Sequence, residues 1–600
     1  MQDSSDSIET KPSETSSSPA TRERWLHPEA LNDSAYESAP LRLNEFATPQ
    51  APWRAADGSG EDARFETADG AAIRLQALSE NLLRIRMDPR GAVDAPTTTE
   101  RLGLLRAPAE TPPTVERLSE GEVRAGGFAF SLDVATGDFS VDYVGQTVLR
   151  TRDGGVRVSE EAPDYGAGFR ALADFELEED ESIWGFGGRM RPFARRGSAV
   201  DVFSVKGGKL KGDYSGFPIP FFMSSRGCGV FLNNPWPHVY FDLGATLPDR
   251  WWVNTPGGEF DLFLVGGPEP QRMLRTFTEL VGRIPFPNKA LFGFWASSLG
   301  FESADQVLEV AERLRAEGWP CDNMVLDGPW RGGPEFIPHY RKYRHYMNND
   351  LEWHPGFGDG PAMVRRLHAL GIRVALHLNS RIFTEATAER GLRDGVLRRF
   401  NEEVVPKLED EAGEAFFLNH LKPRIEEGVD HWWTDHSDRV GGTIREGVPS
   451  RNLFGPLWNR LLCEAMEAAG REPEPCLSRG GGIGSQPYAL PWPGDTAAGL
   501  DRFAEDIWFC LGAGLAGFPV TSVDAGGFAA PDGADTDAEA KAVIFGRENL
   551  HRRLFPSLLF VPSPRIHNNY TSQPRLPWNC PEESRDLYKA FLLERYALAP

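Results

Sequence analysis

From about residue 45 to residue 275, apolar and polar side chains alternate in short runs such as "AIRLQA" (72–77) and "NLLRIRM" (81–87), broken by "DG", "GG" and "NNP". A period of two puts every second side chain on one face, so the pattern predicts β-strands joined by tight turns. Residues 41–275 therefore read as an N-terminal β-sandwich domain. Before them, residues 1–40 are rich in Ser, Thr, Glu, Asp and Pro and carry too few apolar groups to offset the entropy of ordering. They read as a disordered polar tail.

Past Pro285 the period lengthens. In "SADQVLEVAERLRAEG", Ser303 precedes Gln306 at the spacing of a capping box, Val307, Val310, Ala311 and Leu314 share one helical face, and Gly318 ends the run. "CDNMVLD" follows as a buried strand. "GPAMVRRLHALG" repeats the helix, with Pro361 near its start and Gly371 at its end, and leads into the strand "RVALHL". Strand alternating with helix predicts parallel pairing through right-handed crossovers, so residues 276–600 read as a barrel. The expected fold class is α/β.

The strand ends carry the chemistry. "NMVLD" stops at Asp327, "HWWTD" at Asp435, "PCLSR" at Arg479 and "FPVTSVD" at Asp524. Strands in many folds end on polar residues, but in a parallel barrel the C-terminal edge opens on the active site, where side chains from several strands converge. Several carboxylates, an arginine and many aromatic rings fit the cleavage of an acetal, which asks for two carboxyl groups beside one carbon and apolar faces for sugar rings. Neighbouring residues on a strand point to opposite faces, so one of Trp432 and Trp433 is barrel packing.

A net charge of -23 opposes binding to nucleic acid or to an anionic membrane surface. No apolar run is long enough to span a bilayer and the N-terminus has no secretory pattern, so the chain reads as soluble and cytoplasmic. Its six cysteines lack CxxC spacing, which leaves neither a disulfide framework nor a zinc site in view. "RGGGIGS" lacks the G-K-[ST] ending of a phosphate loop. His431, His436, Asp435 and Asp438 could be drawn as a metal cluster, but on a strand running into a loop the two histidines need not face one way. Trp184, Trp236, Trp251 and Trp252 read as core or interface packing. No cofactor and no metal is implied, and the oligomeric state is not legible.

"WWTDHSD", "SRGGGIGSQPYALPWPGDT", "SVDAGGF", "PRIHNN" and "LPWN" together resemble the ordered motifs of glycoside hydrolase family 31, the α-glucosidases, α-xylosidases and their relatives. "IWGFGGRMRPFARRG" and "FPIPFFMSSRGCGVFLNN" are similar to its N-terminal domain, and the likeness runs from about residue 70 to residue 600. The resemblance implies a (β/α)8 TIM barrel preceded by an N-terminal β-sandwich. It implies Asp435 as nucleophile and Asp495 as general acid and then base, in a mechanism that retains configuration and places the two carboxyl groups about 5 Å apart. A dry pocket beside Trp492 would raise the pKa of Asp495 enough for it to hold a proton. Asp327, Arg479 and His567 match hydroxyl-gripping positions, with Trp492, Phe528 and one of Trp432 and Trp433 as walls, and Asp524 belongs to the same substrate-binding set. The implied partner is a carbohydrate, by default an α-glucoside. α-Xylosides, α-galactosides, transglycosylation, lyase chemistry and a non-catalytic carbohydrate-binding role remain open.

Three positions depart from the resemblance. Gly188 stands where the family has Glu, Asp438 stands where Glu is commoner, and the chain ends at "DLYKAFLLERYALAP", where the family's C-terminal β-domains are apparently missing. The last helix is expected to leave an apolar face uncovered.

Overall fold

Strands Ala72–Ser79 and Leu82–Asp88 pair antiparallel, and Leu82–Asp88 pairs on its other edge with Phe260–Gly266, so a central strand is buried on nearly every residue. The computed structural model describes residues 46–599, apart from 50–51, 57–59, 108–110, 160–167, 206–212, 214, 333–347, 401–402, 445–446, 473, 531–536 and 570–573. The polar segment 1–40 lies outside the described residues. These strands belong to an eight-stranded sheet that faces a ten-stranded one. Rings from the two sheets meet: Phe222 stands edge-on to Trp251, which itself stacks on Phe175 at 4.0 Å. Large aromatic faces fill the space between twisted sheets and contribute more than their area alone.

The second half is a parallel barrel. Its strands are, in chain order, Trp295–Ser298, Asn323–Leu326, Arg373–Leu378, His431–Thr434, Cys476–Ser478, Ala489–Pro491, Ser522–Asp524 and Ser563–Ile566. The first six pair in sequence, the eighth pairs with the first, and the seventh with the eighth. Strands six and seven meet beyond their ends, in one parallel bridge between Ala497 and Ala529. The predicted helices form as read. Ser303 caps Ala304–Ala316 by accepting from the Gln306 amide, and Asp359 caps Gly360–Ala369. The Gln306 side chain accepts from the Glu302 amide at 2.9 Å, one residue before the position a capping box requires.

Alternation along the strands divides the barrel into an inner and an outer layer. Trp295, Val325, Ala375, Trp433, Leu477, Leu490 and Trp492 form the interior cluster. Trp432 points the other way, into the cluster that holds Leu376, Leu378, Leu457 and Leu461. The alternative between the two tryptophans resolves in favour of Trp433 as the inward residue.

The N-terminal domain rests on the barrel. Helix Leu500–Gly514 lies against strand Ile183–Gly188, and a Cβ on Gly188 would come 2.7 Å from the Phe509 ring. A glutamate there would need Phe509 to move, which gives the departure at Gly188 a steric basis. Helix Glu582–Leu598 buries Tyr588 and Leu592, and Arg595 donates to the carbonyls of Phe292, Leu558 and Val561. Its outer face leaves Leu593 and Leu598 exposed.

Candidate active site

Each barrel strand delivers a polar group to one end. Ser297 comes from the first, Asp327 follows the second, His377 lies in the third, Asp435 follows the fourth and Arg479 the fifth. Trp492 and Asp495 follow the sixth, Asp524 ends the seventh, and Arg565 and His567 belong to the eighth and the residue just beyond it. The four charged strand ends of the sequence do converge at the C-terminal edge.

Arg479 is the hub. Its Nη2 lies 2.8 Å from Asp435 Oδ1, its Nη1 3.5 Å from Asp495 Oδ1 and its Nε 3.4 Å from Asp438 Oδ1. One guanidinium thus faces the two predicted catalytic carboxylates and the acid three residues after the first. Asp435 is only 8% exposed. Burial would push its carboxyl up, but Arg479, then His436 and His377, outweigh that and hold it well below the usual carboxylate range. It is therefore ionised at neutral pH.

His436 adopts a left-handed backbone, φ 63, which an L-residue enters at a cost. That turn aims its N–H back at Asp435 Oδ1, 2.9 Å away, and its ring lies 3.5 Å from Oδ2. His377 Nε2 also approaches Oδ2, at 3.3 Å.

Asp327 lies beside this group. His567 Nε2 is 3.3 Å from its Oδ2 and His377 Nδ1 is 3.7 Å from its Oδ1. Ser297 Oγ holds His567 Nδ1 at 2.8 Å. Burial again raises the carboxyl, and again it is overcome, here by His377 and His567, so the pKa of Asp327 falls below its ordinary value.

Aromatic rings wall the site. Trp433 stands edge-on to His377, Trp492 and His567, with centroids 4.6, 5.3 and 5.1 Å away. Phe528 stacks on His567 at 5.1 Å. Arg565 lies 4.1 Å over Trp433 and 4.5 Å over Trp492. Asp524, fully buried, receives Arg565 through Nε at 3.0 Å and Nη2 at 2.6 Å, so what it holds is this arginine.

The structure thus gathers Asp327, Asp435, Arg479, Trp433, Trp492, Asp495, Phe528 and His567, places Asp524 beneath them, and turns Trp432 away. Sequence reasoning did not name His377, Arg565, His436 or Ser297 as site residues. Arg565 was within sight as the arginine of "PRIHNN", and His377 as a lone polar residue inside the apolar strand "RVALHL". His431 starts its strand at the opposite end from Asp435 and pairs with Glu474 at 3.4 Å. Among the described residues no cluster of three or more His, Cys, Asp or Glu could hold a metal ion. The glycine run 480–482 has a packing role: a Cβ on Gly481 would lie 2.3 Å from the Phe217 ring of the N-terminal domain.

Residues 284–600 match the profile described as "Glycosyl hydrolases family 31 TIM-barrel domain". The chain belongs to glycoside hydrolase family 31. Residues 72–242 match the family's "N-terminal galactose mutarotase-like domain". Among curated relatives, the α-xylosidase of Emericella nidulans is 25% identical over 72% of this chain and 54% of its own. α-Xylosidase XylQ of Lactiplantibacillus pentosus is 26% identical over 68% of this chain and 53% of its own. This family 31 chain spans about half the length of those two relatives. Among solved structures, a Flavobacterium johnsoniae dextranase complexed with glucose superimposes with a TM-score of 0.77 at 18% identity, over 92% of this chain and 69% of that one. A soil-metagenome α-xylosidase complexed with xylose gives 0.74 at 19% identity, over 91% and 84%. No described helix is long and apolar enough to cross a membrane.

Proposed function

We propose that the chain is a retaining α-glycosidase acting on the terminal non-reducing residue of an α-linked sugar of the xylo or gluco configuration. The observation that carries this reading is the Arg479 guanidinium, with Asp435 on one Nη and Asp495 on the other. Asp435 forms a bond to the anomeric carbon as the glycosidic bond breaks, and the departing oxygen takes a proton from Asp495. Asp495, now a carboxylate, then takes a proton from water, whose oxygen attacks the same carbon and releases Asp435. Two inversions leave the anomeric configuration retained.

The lowered pKa of Asp435 supports the nucleophile role, because a carboxylate must be ionised to attack. Asp327 and His567 face the same space and offer an acceptor and a donor for sugar hydroxyls, and Trp433 and Trp492 offer apolar ring faces. Relatives named α-xylosidase and α-glucosidase support the glycone class.

The test is a panel of 4-nitrophenyl α-xyloside, α-glucoside and α-galactoside, with proton NMR of the first sugar anomer released. The expected result is turnover of the xyloside or the glucoside with the α anomer appearing first. A β anomer first would overturn the retaining assignment. Silence across the panel in folded protein would overturn the hydrolase reading.

A further inference from the structure

His377 is an imidazole inside an apolar strand, only 3% exposed. Burying a ring with two polar nitrogens is costly unless both have something to face. Both point toward carboxylates, but unequally: Nε2 lies 3.3 Å from Asp435 Oδ2, within hydrogen-bond distance, and Nδ1 lies 3.7 Å from Asp327 Oδ1, beyond it. Those carboxylates follow the fourth and the second barrel strands, and His377 belongs to the third strand between them. Trp433 stands edge-on to the ring at 4.6 Å and restricts its rotation.

We propose that His377 is a positioning residue that fixes the orientation of the Asp435 carboxylate and sets it beside Asp327. The inference rests on the reading of Asp435 as nucleophile. The two oxygens of Asp435 are held from different sides: Oδ1 by Arg479 and the His436 N–H, Oδ2 by His377 and the His436 ring. Without His377, Oδ2 loses its shorter imidazole contact and, among the described residues, keeps the ring of His436, which sits at a strained turn, so the carboxylate is held less firmly on that side. Asp327 keeps His567 on its other oxygen, so it loses one of two imidazole neighbours. When Asp435 bonds to the anomeric carbon its charge disappears and the pull on Nε2 weakens, while Asp327 stays charged.

Two variants separate the role from simple packing. His377→Leu fills the space without a donor, and His377→Gln can present an amide N–H in place of Nε2. With 4-nitrophenyl α-xyloside and α-glucoside as probes, His377→Leu is expected to lose about a hundredfold in kcat/KM, mostly in kcat, as misplacement of a reacting group does. His377→Gln is expected to recover about tenfold of that, the worth of one hydrogen bond. A readout independent of turnover uses protein labelled with 15N-histidine. The His377 ring signals, assigned by their loss in His377→Gln, are expected to move in both Asp435→Asn and Asp327→Asn. Folded His377→Leu with unchanged kcat and KM, or ring signals indifferent to both aspartate variants, would overturn the proposal. Asp435→Asn alone tests the underlying reading: its turnover is lost whatever His377 does, and retained turnover there would remove the nucleophile assignment and this inference with it.

Discussion

Gly216 and Arg479 belong to different domains and touch: a Cβ on Gly216 would lie 1.8 Å from the Arg479 carbonyl oxygen. Close by, the Gly481 N–H donates to the Gly216 carbonyl at 2.8 Å. The N-terminal domain therefore sets the backbone that carries the hub of the site, and does more than cap the barrel. Gly216→Ala must push the two segments apart. It is expected to cost about 1–3 kcal/mol in stability, the usual range for overpacking, and to lower kcat/KM while leaving secondary structure intact. Thermal melting and steady-state kinetics check both.

Arg479→Leu removes the main opposing charge from a buried carboxylate. Burial is then opposed only by His436 and His377, so the pKa of Asp435 rises. With Asp435 as the proposed nucleophile, active only when ionised, the acid limb of the kcat/KM profile is expected to move to higher pH. The rate at neutral pH is expected to fall by about a thousandfold or more, as it does when a preorganised charge is lost from a dry site. A pH–rate profile of parent and variant decides it; an unmoved acid limb would speak against the pairing.

The opposite end of the barrel makes a contrasting case. Glu474 holds Arg373 at 2.9 Å and His431 at 3.4 Å, far from the catalytic edge, where polar contacts read as stability. Burial pushes its carboxyl up, but His431 and Arg373 prevail and lower it. A carboxylate lowered on folding contributes stability above its unfolded pKa of about 4.3, and that contribution is lost as pH falls through the folded value. Glu474→Ala is expected to cost about 3 kcal/mol near neutral pH, with less loss in acid and little change in kcat. Urea melts at two pH values, with kinetics alongside, test this.

All six cysteines are free, and burial pushes the thiols of Cys228, Cys321, Cys510 and Cys580 up to about 12. Thiolate is the reactive form, so these four are expected to resist a disulfide reagent in the native protein and to react on unfolding. Titration with and without denaturant measures this.

The barrel was legible because its signals are local. Ser303, Gly318 and Gly371 mark helix ends through hydrogen bonds within a few residues, Pro361 does so through its fixed φ and missing donor, and "NMVLD" and "HWWTD" show where strands open on the site. The ordered motifs also hold most of the side chains that gather at this end of the barrel. What escaped depends on side chains that meet across strands. Nothing in "RVALHL" says that its histidine faces two acids from neighbouring strands. Nothing in "SVDAGGF" says that Asp524 is spent on Arg565, 41 residues on. The choice between Trp432 and Trp433 needed the strand's rotation, which a period of two leaves ambiguous.

Covalent trapping addresses the central claim most directly. The protein would be incubated with 5-fluoro-α-xylosyl fluoride and with the glucosyl analogue, digested, and mapped by mass spectrometry. The account predicts one added glycosyl unit, on the peptide that contains Asp435, and none in Asp435→Asn. An adduct on a different residue, or none in protein that turns over the aryl glycoside, would contradict it.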